Sequence, residues 1–259
     1  MRAQMGTFVT VTLMGQDRVD LDSLCDAAFA EVQRIENMMS FHSAESELSQ
    51  LNHAPVGTWL SISADLFEVL ALGSQLSLQT HGLFNLAVGR PLVHSGFLPG
   101  VSEAGWTQMD SPPYELEGLH ARRVCDVWLD LGGIAKGYAV DCAVKAILKL
   151  DPHASGSVNA GGDLRMFGLA RQNILDERDG SLWSTSHSSV ASSEIIPHST
   201  FTGYVDPRQR KIIRESIRAT VAAESCMVAD ALTKIALLGP APLVEQIASA
   251  YQAEVYFDQ

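Results

Sequence analysis

The chain has 259 residues, and its 18 lysines and arginines against 30 aspartates and glutamates give a formal net charge of −12. Hydrophobic residues make up 46% and charged residues 19%, which excludes disordered and fibrous chains and predicts a substantial core. The negative charge argues against nucleic acid and anionic membranes as partners, since both attract Lys and Arg. An anionic ligand would therefore need a local cluster of positive charge.

The cysteines are far apart and form no C-x-x-C pair, which excludes a zinc ribbon or a redox motif; they are Cys25, Cys125, Cys142 and Cys226. An even number could form two disulfides in a secreted protein. Residues 1–12, however, contain no apolar signal core and no lipobox, and no run approaches the length of a membrane span. We therefore expect free, mostly buried thiols in the reducing cytoplasm.

Hydrophobic spacing and helix caps predict the elements of the first half of the chain. They are a strand at 8–13, a helix from the cap Asp20 to Met39, a short helix after Ser46, and a helix from the cap Ser63 to a stop at Gly82. Residues 97–113 are rich in Gly, Pro and Ser and are predicted to form a surface excursion.

The second half is predicted in the same way. The elements are a strand at 124–131, a helix at 134–150, a strand around Val158 that Gly161-Gly162 interrupts and that resumes at 163–168, strands within 181–206, a basic hairpin tip at 208–214, a helix at 227–238 after the cap Ser225, a helix from Leu243, and a strand at 255–257. The chain contains no repeat and no linker. We expect an α+β fold with mostly antiparallel sheets packed by helices, as one domain over 1–259 or two intimately joined subdomains.

The segment Leu-Asp-Leu-Gly-Gly-Ile-Ala-Lys-Gly-Tyr-Ala at 129–139 is typical of an anion site. A strand end, a glycine turn and a helix N-terminus bring free N–H groups and a positive dipole end to one point, and Lys136 adds a full charge. The segment is neither a Walker loop nor G-x-G-x-x-G. A tight turn with Lys136 in solvent explains the same residues.

Two later segments also combine charge with small residues. At 159–165, Asn159 and Asp163 flank paired glycines, which indicates either a close approach of another group or a hairpin turn. At 229–235, Asp230 lies on an otherwise apolar helix, so it needs a cation or a partner. Lys234, four residues later, is one candidate partner.

Seven motifs in order resemble the ApbE family, the FAD:protein FMN transferases. They lie at 5–7 (Met-Gly-Thr), 40–52, 82–89 (Gly-Leu-Phe-Asn-Leu-Ala-Val-Gly), 129–139, 159–165, 206–208 (Asp-Pro-Arg) and 229–235. The resemblance runs from about residue 5 to residue 239. It implies an ApbE-like, T-fold-related fold and a protein that binds FAD with Mg²⁺, cleaves its pyrophosphate, transfers FMN to a threonine hydroxyl of a target flavoprotein and releases AMP.

The resemblance also implies which residues form the site. Those expected at the cofactor are Met5, His42, Leu83, Phe84, Asn85, Asp130, Lys136, Asn159, Gly161, Gly162 and Val205. The metal ligands would be the Gly133 carbonyl and the Asp230 carboxylate, with Thr233 beside them, and the catalytic residues would be Asp230, Lys234 and Lys136. His42 stands where the family often has Tyr, and Asn85 where Asp is commoner.

Two departures from the family pattern bear on activity. The family has a metal-binding Thr four residues after the Asp; here that position is Lys234, and Thr233 is displaced by about 100° around the helix. A charged ammonium cannot ligate a metal, but it can stand in the metal's place and neutralise phosphate. The family also has a His three residues before Asp206, where this chain has Gly203; His198 is nearby and is predicted to be a surface residue.

Three functions fit these residues. The first is an FMN transferase in which Lys234 and a reduced metal site supply the electrostatics, and we place it first. The second is a protein that binds FAD without transferring FMN, or hydrolyses FAD slowly. The third, a general metal-dependent phosphohydrolase, depends only on Asp230 and the glycine turns.

Overall fold

The computed structural model describes residues 1–14, 20–101, 112–169, 173–175, 182–195, 203–213 and 215–257. The strands in these residues are β1 (Arg2–Gln4), β2 (Thr7–Met14), β3 (Leu60–Ser61), β4 (Tyr114–Glu117), β5 (His120–Arg123), β6 (Ser155–Ala160), β7 (Asp163–Phe167), β8 (Asn173–Leu175), β9 (Leu182–Ser184), β10 (Ser189–Ile195), β11 (Val205–Asp206), β12 (Lys211–Ile212), β13 (Ile217–Ala223) and β14 (Glu254–Phe257). The helices are α1 (Leu21–Met39), α2 (Glu47–His53), α3 (Ala64–Gln79), α4 (Gly89–His94), α5 (Ala135–Leu150), α6 (Cys226–Leu238) and α7 (Ala241–Ala250).

A seven-stranded sheet organises the molecule, in the order β1-β2-β6-β7-β10-β13-β14. Every neighbouring pair in it is antiparallel. Helix α6 packs on β10 and β13, and α5 contacts α1, α6 and the β6–β7 hairpin. The predicted α+β fold with antiparallel sheet is confirmed.

Helix α6 is the most deeply placed of these helices around the site. Ten of its thirteen residues are buried, because its sequence is apolar on nearly every face. Lys234 is one of the three that reach the surface. Because most of α6 is buried, packing holds the backbone that carries Lys234 in place.

The predicted helix starts are confirmed by their caps. The side chains of Asp20, Ser46, Ser63 and Ser225 each accept a hydrogen bond from a backbone N–H in the first turn of α1, α2, α3 and α6. Helix α3 ends at Gln79, and Gly82 follows at φ 77° with its N–H bonded to the Ser77 carbonyl, which is the predicted stop.

The prediction of a strand at 124–131 is wrong. This segment has no strand partner among the described residues, and its backbone groups bond instead to loops and to the side chains of Asn52 and Arg123, whose Nη1 donates to the Val127 carbonyl at 2.7 Å. Asn52, at the end of α2, accepts from the Leu129 N–H at 2.7 Å and donates to the Leu129 carbonyl at 2.8 Å. The Asp130 N–H bonds to the Leu86 carbonyl at 2.8 Å. The Asn52 amide thus makes the two backbone hydrogen bonds at Leu129 that a neighbouring strand would otherwise make.

Several elements of the structure were not predicted from the sequence, and some predicted segments lie outside the described residues. Strand β13 and the three-stranded sheet β3-β5-β4 were not predicted, and neither was α4. The predicted surface excursion at 97–113 is described only at its two ends, and His198 and Arg214 also lie outside the described ranges. The basic tip is a hairpin of β11 and β12, as predicted.

None of the four cysteines is in a disulfide, as the sequence predicted. Cys142 and Cys226 are buried, while Cys25 and Cys125 are half-buried. Among the residues described, none of the helices combines the length and the apolar character needed to cross a bilayer.

The Asn52 bridge generates a stability prediction. Asn52→Ala leaves the buried N–H and carbonyl of Leu129 without partners, so we expect the free energy of unfolding to fall by about 3 kcal/mol, measured by urea denaturation. Asn37→Ala removes an amide from an exposed face of α1 and should change it by less than about 0.5 kcal/mol. A loss at Asn52 no larger than at Asn37 would contradict the bridging role.

Candidate functional site

A cleft of about 610 Å³ opens beside the N-terminus of α5. Its apolar part is lined by Leu83, Phe84, Leu86, Val88, Phe97, Tyr204, Val205 and Leu238. Its polar part is lined by Asn85, Asp130, Gly132, Gly133, Lys136, Gly161, Gly162, Ser192, Ser193, Glu194, Arg218 and Lys234. The volume is in the range of small-molecule and cofactor sites, and the division suits a ligand with both flat rings and negative charge.

Two lysines and two buried carboxylates form the floor of the cleft. Lys136 makes an ion pair with Asp163 and lies 3.7 Å from Asp230, and Lys234 makes an ion pair with Asp230. The side chains of Asp163 and Asp230 are at most 1% exposed, whereas those of Lys136 and Lys234 are 26% and 15% exposed. The carboxylates therefore lie beneath and hold the ammonium groups at the cleft surface. We call these four residues the lysine–aspartate quartet.

The two buried aspartates keep the Lys136 ammonium group charged. Burial raises the pKa of Asp230, but the charges of Lys136 and Lys234 outweigh it and hold that pKa below its usual value. Burial lowers the pKa of Lys136, but Asp230 and Asp163 outweigh it and leave the pKa well above its ordinary range. Burial, with the charge of Asp230, raises the pKa of Asp163 to about 6. Asp163 Oδ1 accepts no hydrogen bond from the described residues.

The backbone brings the quartet together through a close approach of two helices. A Cβ at Gly137 would lie 2.3 Å from the Cys226 carbonyl oxygen, so only glycine lets the first turn of α5 lie this close to the start of α6. The Gly137 N–H donates to Asp230 Oδ2 at 3.1 Å. Lys136 and Lys234 thereby reach the same carboxylate from different helices.

Asp141 fixes the start of α6 from α5. It accepts from the Cys226 and Met227 N–H groups at 3.1 and 3.0 Å and from the Ser225 hydroxyl at 2.7 Å, and it pairs with Arg165 of β7. Buried carboxylates with this many donors are strongly positioned. Asp141 is one turn beyond Gly137, so the same stretch of α5 sets both the position and the rotation of α6.

Thr233 does not face the cleft. Its hydroxyl donates to the Asp230 carbonyl at 2.7 Å and is bonded to Ser193 of β10 at 2.7 Å. Its side chain is fully buried. The displacement around the helix inferred from the sequence has therefore moved the hydroxyl into the contact between α6 and β10.

The residues present do not fit a divalent cation at the expected position. Asp230 Oδ1 is paired with Lys234, and Oδ2 accepts from Gly137. The side chain of Lys234 runs past Gly133, where a Cβ would lie 3.5 Å from the lysine Cγ and Cε. In the part of the chain that the structure describes, no group of three or more His, Cys, Asp and Glu side chains could hold a metal ion.

Seven of the predicted cofactor residues line the cleft beside the quartet. They are Leu83, Phe84, Asn85, Asp130, Gly161, Gly162 and Val205. Asn85 accepts from the Ala87 N–H at 2.8 Å, which fixes its loop. Burial raises the pKa of Asp130, opposed by the Gly132 N–H at 3.0 Å and by His42.

Met5, His42 and Asn159 are not in the lining. The Met5 N–H donates to Glu36 at 2.8 Å, and the Met-Gly-Thr turn supports the site from behind, since a Cβ at Gly161 would lie 2.5 Å from the Thr7 hydroxyl oxygen. His42 is exposed. Asn159 accepts from the Gly162 N–H at 3.0 Å, which is the hairpin-turn explanation of that motif. Their ligand contacts stay predictions.

Sequence reasoning missed the strand residues of the cleft. Ser192, Ser193 and Glu194 of β10 and Arg218 of β13 line it, and Glu194 and Arg218 are opposite each other in the sheet. Arg208, at the start of the predicted basic hairpin tip, is absent from the lining and lies 3.8 Å from Asp206. No motif marks Arg218; only its place in a strand beside β10 brings it to the cleft.

Phe97 occupies the space next to Gly203. A Cβ at Gly203 would lie 2.7 Å from the ring Cζ of Phe97. The Phe97 and Leu98 N–H groups both bond to the Leu92 carbonyl, at 2.9 and 3.1 Å, which anchors the turn after α4. The Phe97 ring can therefore take this position only because residue 203 has no side chain.

The fold and the site define an α+β protein with a nucleotide-sized cleft whose floor carries two lysines. The chain belongs to the ApbE family, whose model matches residues 5–257. It is 26% identical over 178 residues to the FAD:protein FMN transferase of Klebsiella pneumoniae, covering 63% of this chain, so it spans about half (54%) of that relative. It is 25% identical over 252 residues to the enzyme of the same name from Chlamydia pneumoniae, covering 86% of this chain and 78% of that one. The ApbE protein of Thermotoga maritima has the same fold, with a TM-score of 0.84 at 23% identity over 98% of this chain and 91% of that one.

The contact between Phe97 and Gly203 predicts coupling between the two positions. Gly203→His must displace the ring, so we expect its cost in unfolding free energy to be about 1 kcal/mol smaller in a Phe97→Ala background than in the wild type. A thermal or urea double-mutant cycle measures this. Phe8→Ala removes an exposed ring on β2, 64% exposed against 46% for Phe97, and should be additive with Gly203→His. Additivity at Phe97 as well would disprove the contact.

Proposed function

We propose that the protein is an FAD:protein FMN transferase. It binds FAD and passes the FMN half to a threonine hydroxyl of a target flavoprotein. The P–O bond to the AMP half breaks, the bond from the threonine oxygen to the FMN phosphorus forms, AMP leaves with the bridging oxygen, and the hydroxyl proton is released. Membership of the family, and relatives with this name, support the activity.

The observation that carries the proposal is the pair of ammonium groups on the floor of the cleft. A pyrophosphate undergoing transfer accumulates negative charge on its non-bridging oxygens, and fixed positive charge beside them lowers the barrier. Lys136 and Lys234 provide this charge, and the buried aspartates keep them in place without a ligand. The N-terminus of α5 adds its positive dipole end at Lys136.

The rest of the lining suits the two organic ends of FAD. Phe84, Phe97 and Val205 offer apolar contact to flat rings. The glycines of the β6–β7 turn leave the backbone open to a ligand, since Gly162 has no side chain and a φ of 102°. Arg218 adds a third cation at the cleft wall. We place this activity in a reducing compartment such as the cytoplasm, a proposal that the lack of disulfides among the four cysteines supports.

The activity is tested by incubating the protein with FAD and a flavoprotein that carries an acceptor threonine. We expect covalent FMN on the target, seen by in-gel flavin fluorescence, with one AMP per FMN transferred. FAD that stays bound and intact over hours would favour a binding protein instead. AMP release without a labelled target would favour a hydrolase.

Lys136 is the residue whose removal should be most damaging. Lys136→Met paired with Asp163→Asn removes both charges of one ion pair, so no buried carboxylate is left unpaired, and we expect transfer to slow by about 10²–10³-fold. Lys149→Met, on the exposed end of the same helix, should leave the rate unchanged. Transfer by the double variant at the wild-type rate, with the fold retained, would remove the quartet from the mechanism.

A further inference from the structure

We propose that the Lys234 ammonium permanently occupies the position of a divalent cation, so that this protein binds FAD without a metal ion. The inference takes the identity of the ligand from the proposed function. It concerns a property in which this chain departs from its family's metal-dependent pattern.

The first line of evidence is the position of Lys234. It projects from the buried helix α6 into the cleft, where it pairs with Asp230 and donates to the Ser193 hydroxyl at 3.0 Å. Only 15% of its side chain is exposed. An ordinary surface pair four residues apart on a helix is solvated and free to move, whereas this ammonium is held between two elements and opens only to the cleft.

The second line is that the two side chains expected to bind the metal, Asp230 and Thr233, have their oxygens bonded elsewhere. Asp230 uses one carboxylate oxygen for Lys234 and the other for the Gly137 N–H. The Thr233 hydroxyl bonds inside the protein, to Asp230 and Ser193. A cation arriving at Asp230 would have to expel Lys234 from a nearly closed position beside Gly133. Two positive charges competing for one carboxylate disfavour the ion strongly.

The third line is that the second lysine completes the charge arrangement. Lys136 lies 3.7 Å from Asp230 Oδ2, whereas Lys234 pairs with Oδ1 of the same carboxylate. Lys136 is also paired with Asp163. The two lysines therefore present two adjacent ammonium groups to a ligand. A pyrophosphate carries about two negative charges, and both ammonium groups can donate charge-assisted hydrogen bonds to its oxygens without a diffusible ion.

Cations that belong to the chain change how the affinity for FAD depends on the magnesium and salt concentrations. A lysine is part of the chain, so no ion has to be recruited and oriented when FAD binds. FAD affinity should then be insensitive to magnesium concentration. It should still fall with salt, because the attraction is electrostatic.

The experiment is an FAD titration of the purified protein, followed by flavin fluorescence, in EDTA and in millimolar Mg²⁺. We expect the two dissociation constants to agree within threefold for the wild type. Lys234→Thr should weaken binding at least tenfold in EDTA and recover most of it in Mg²⁺, because the threonine hydroxyl and the freed Asp230 oxygen together offer the ion two ligands, whereas a methionine offers it none. Lys234→Met should weaken binding in both buffers. Lys149→Thr, on the exposed end of α5, is the matched control and should behave as the wild type.

A second measurement requires no FAD. Binding of Mn²⁺ to the ligand-free protein, followed by its electron paramagnetic resonance signal, should be undetectable at millimolar metal for the wild type and measurable for Lys234→Thr. The thermal midpoint of each variant shows whether it is folded at the assay temperature.

The outcomes separate this inference from the proposed function. Wild-type FAD binding that EDTA abolishes and Mg²⁺ restores overturns the inference and leaves the transferase standing. FAD binding that ignores EDTA, without covalent transfer to any target, supports the inference and overturns the transferase. Wild-type protein that binds FAD in neither buffer overturns both.

Discussion

The buried carboxylate of Asp230 is the interaction on which the site depends. Its side chain is fully buried, and it meets Lys234, Lys136 and the Gly137 N–H at once. A carboxylate in such a position is tolerable only when it is fully paired, and each partner comes with its own positional requirement. Lys234 must be one turn along α6, and Lys136 must lie in the first turn of α5. The two helix starts therefore have to meet, and their meeting forms the cleft.

That requirement explains residues that touch no ligand. Gly137 has no side chain because the Cys226 carbonyl occupies the space where one would be. Asp141 accepts from the first N–H groups of α6 and pairs with Arg165 on β7. It therefore fixes the positions of α5, α6 and the sheet relative to one another. Substitutions at these positions would act on the site through geometry, although neither residue lines the cleft.

The sequence predicted the site's floor better than its walls, and the reason is physical. Lys136 and Asp230 lie in motifs that combine a turn, a helix start and an out-of-place charge, and such combinations are visible in a local window. The cap residues were found for the same reason. Arg218 and Ser193 reach the cleft only through the pairing of β10 with β13, which joins residues about 25 apart and leaves no local signal. The segment 124–131 was mistaken for a strand because Asn52, over 70 positions away, replaces its strand partner.

The overall charge of −12 is compatible with an anionic ligand, because the nearby lysines of the quartet act on it more strongly than the distant surface carboxylates do. Screening confines the influence of surface carboxylates to about 8–10 Å at physiological salt. Inside that range an anionic ligand in the cleft would meet Lys136, Lys234 and Arg218, with Asp130 and Glu194 also in the lining, while Asp163 and Asp230 lie below the lysines. In the absence of a ligand the same aspartates neutralise the lysines, so the empty cleft stores little repulsion. A site whose cations belong to the chain therefore needs no ion to be recruited before an anionic ligand arrives.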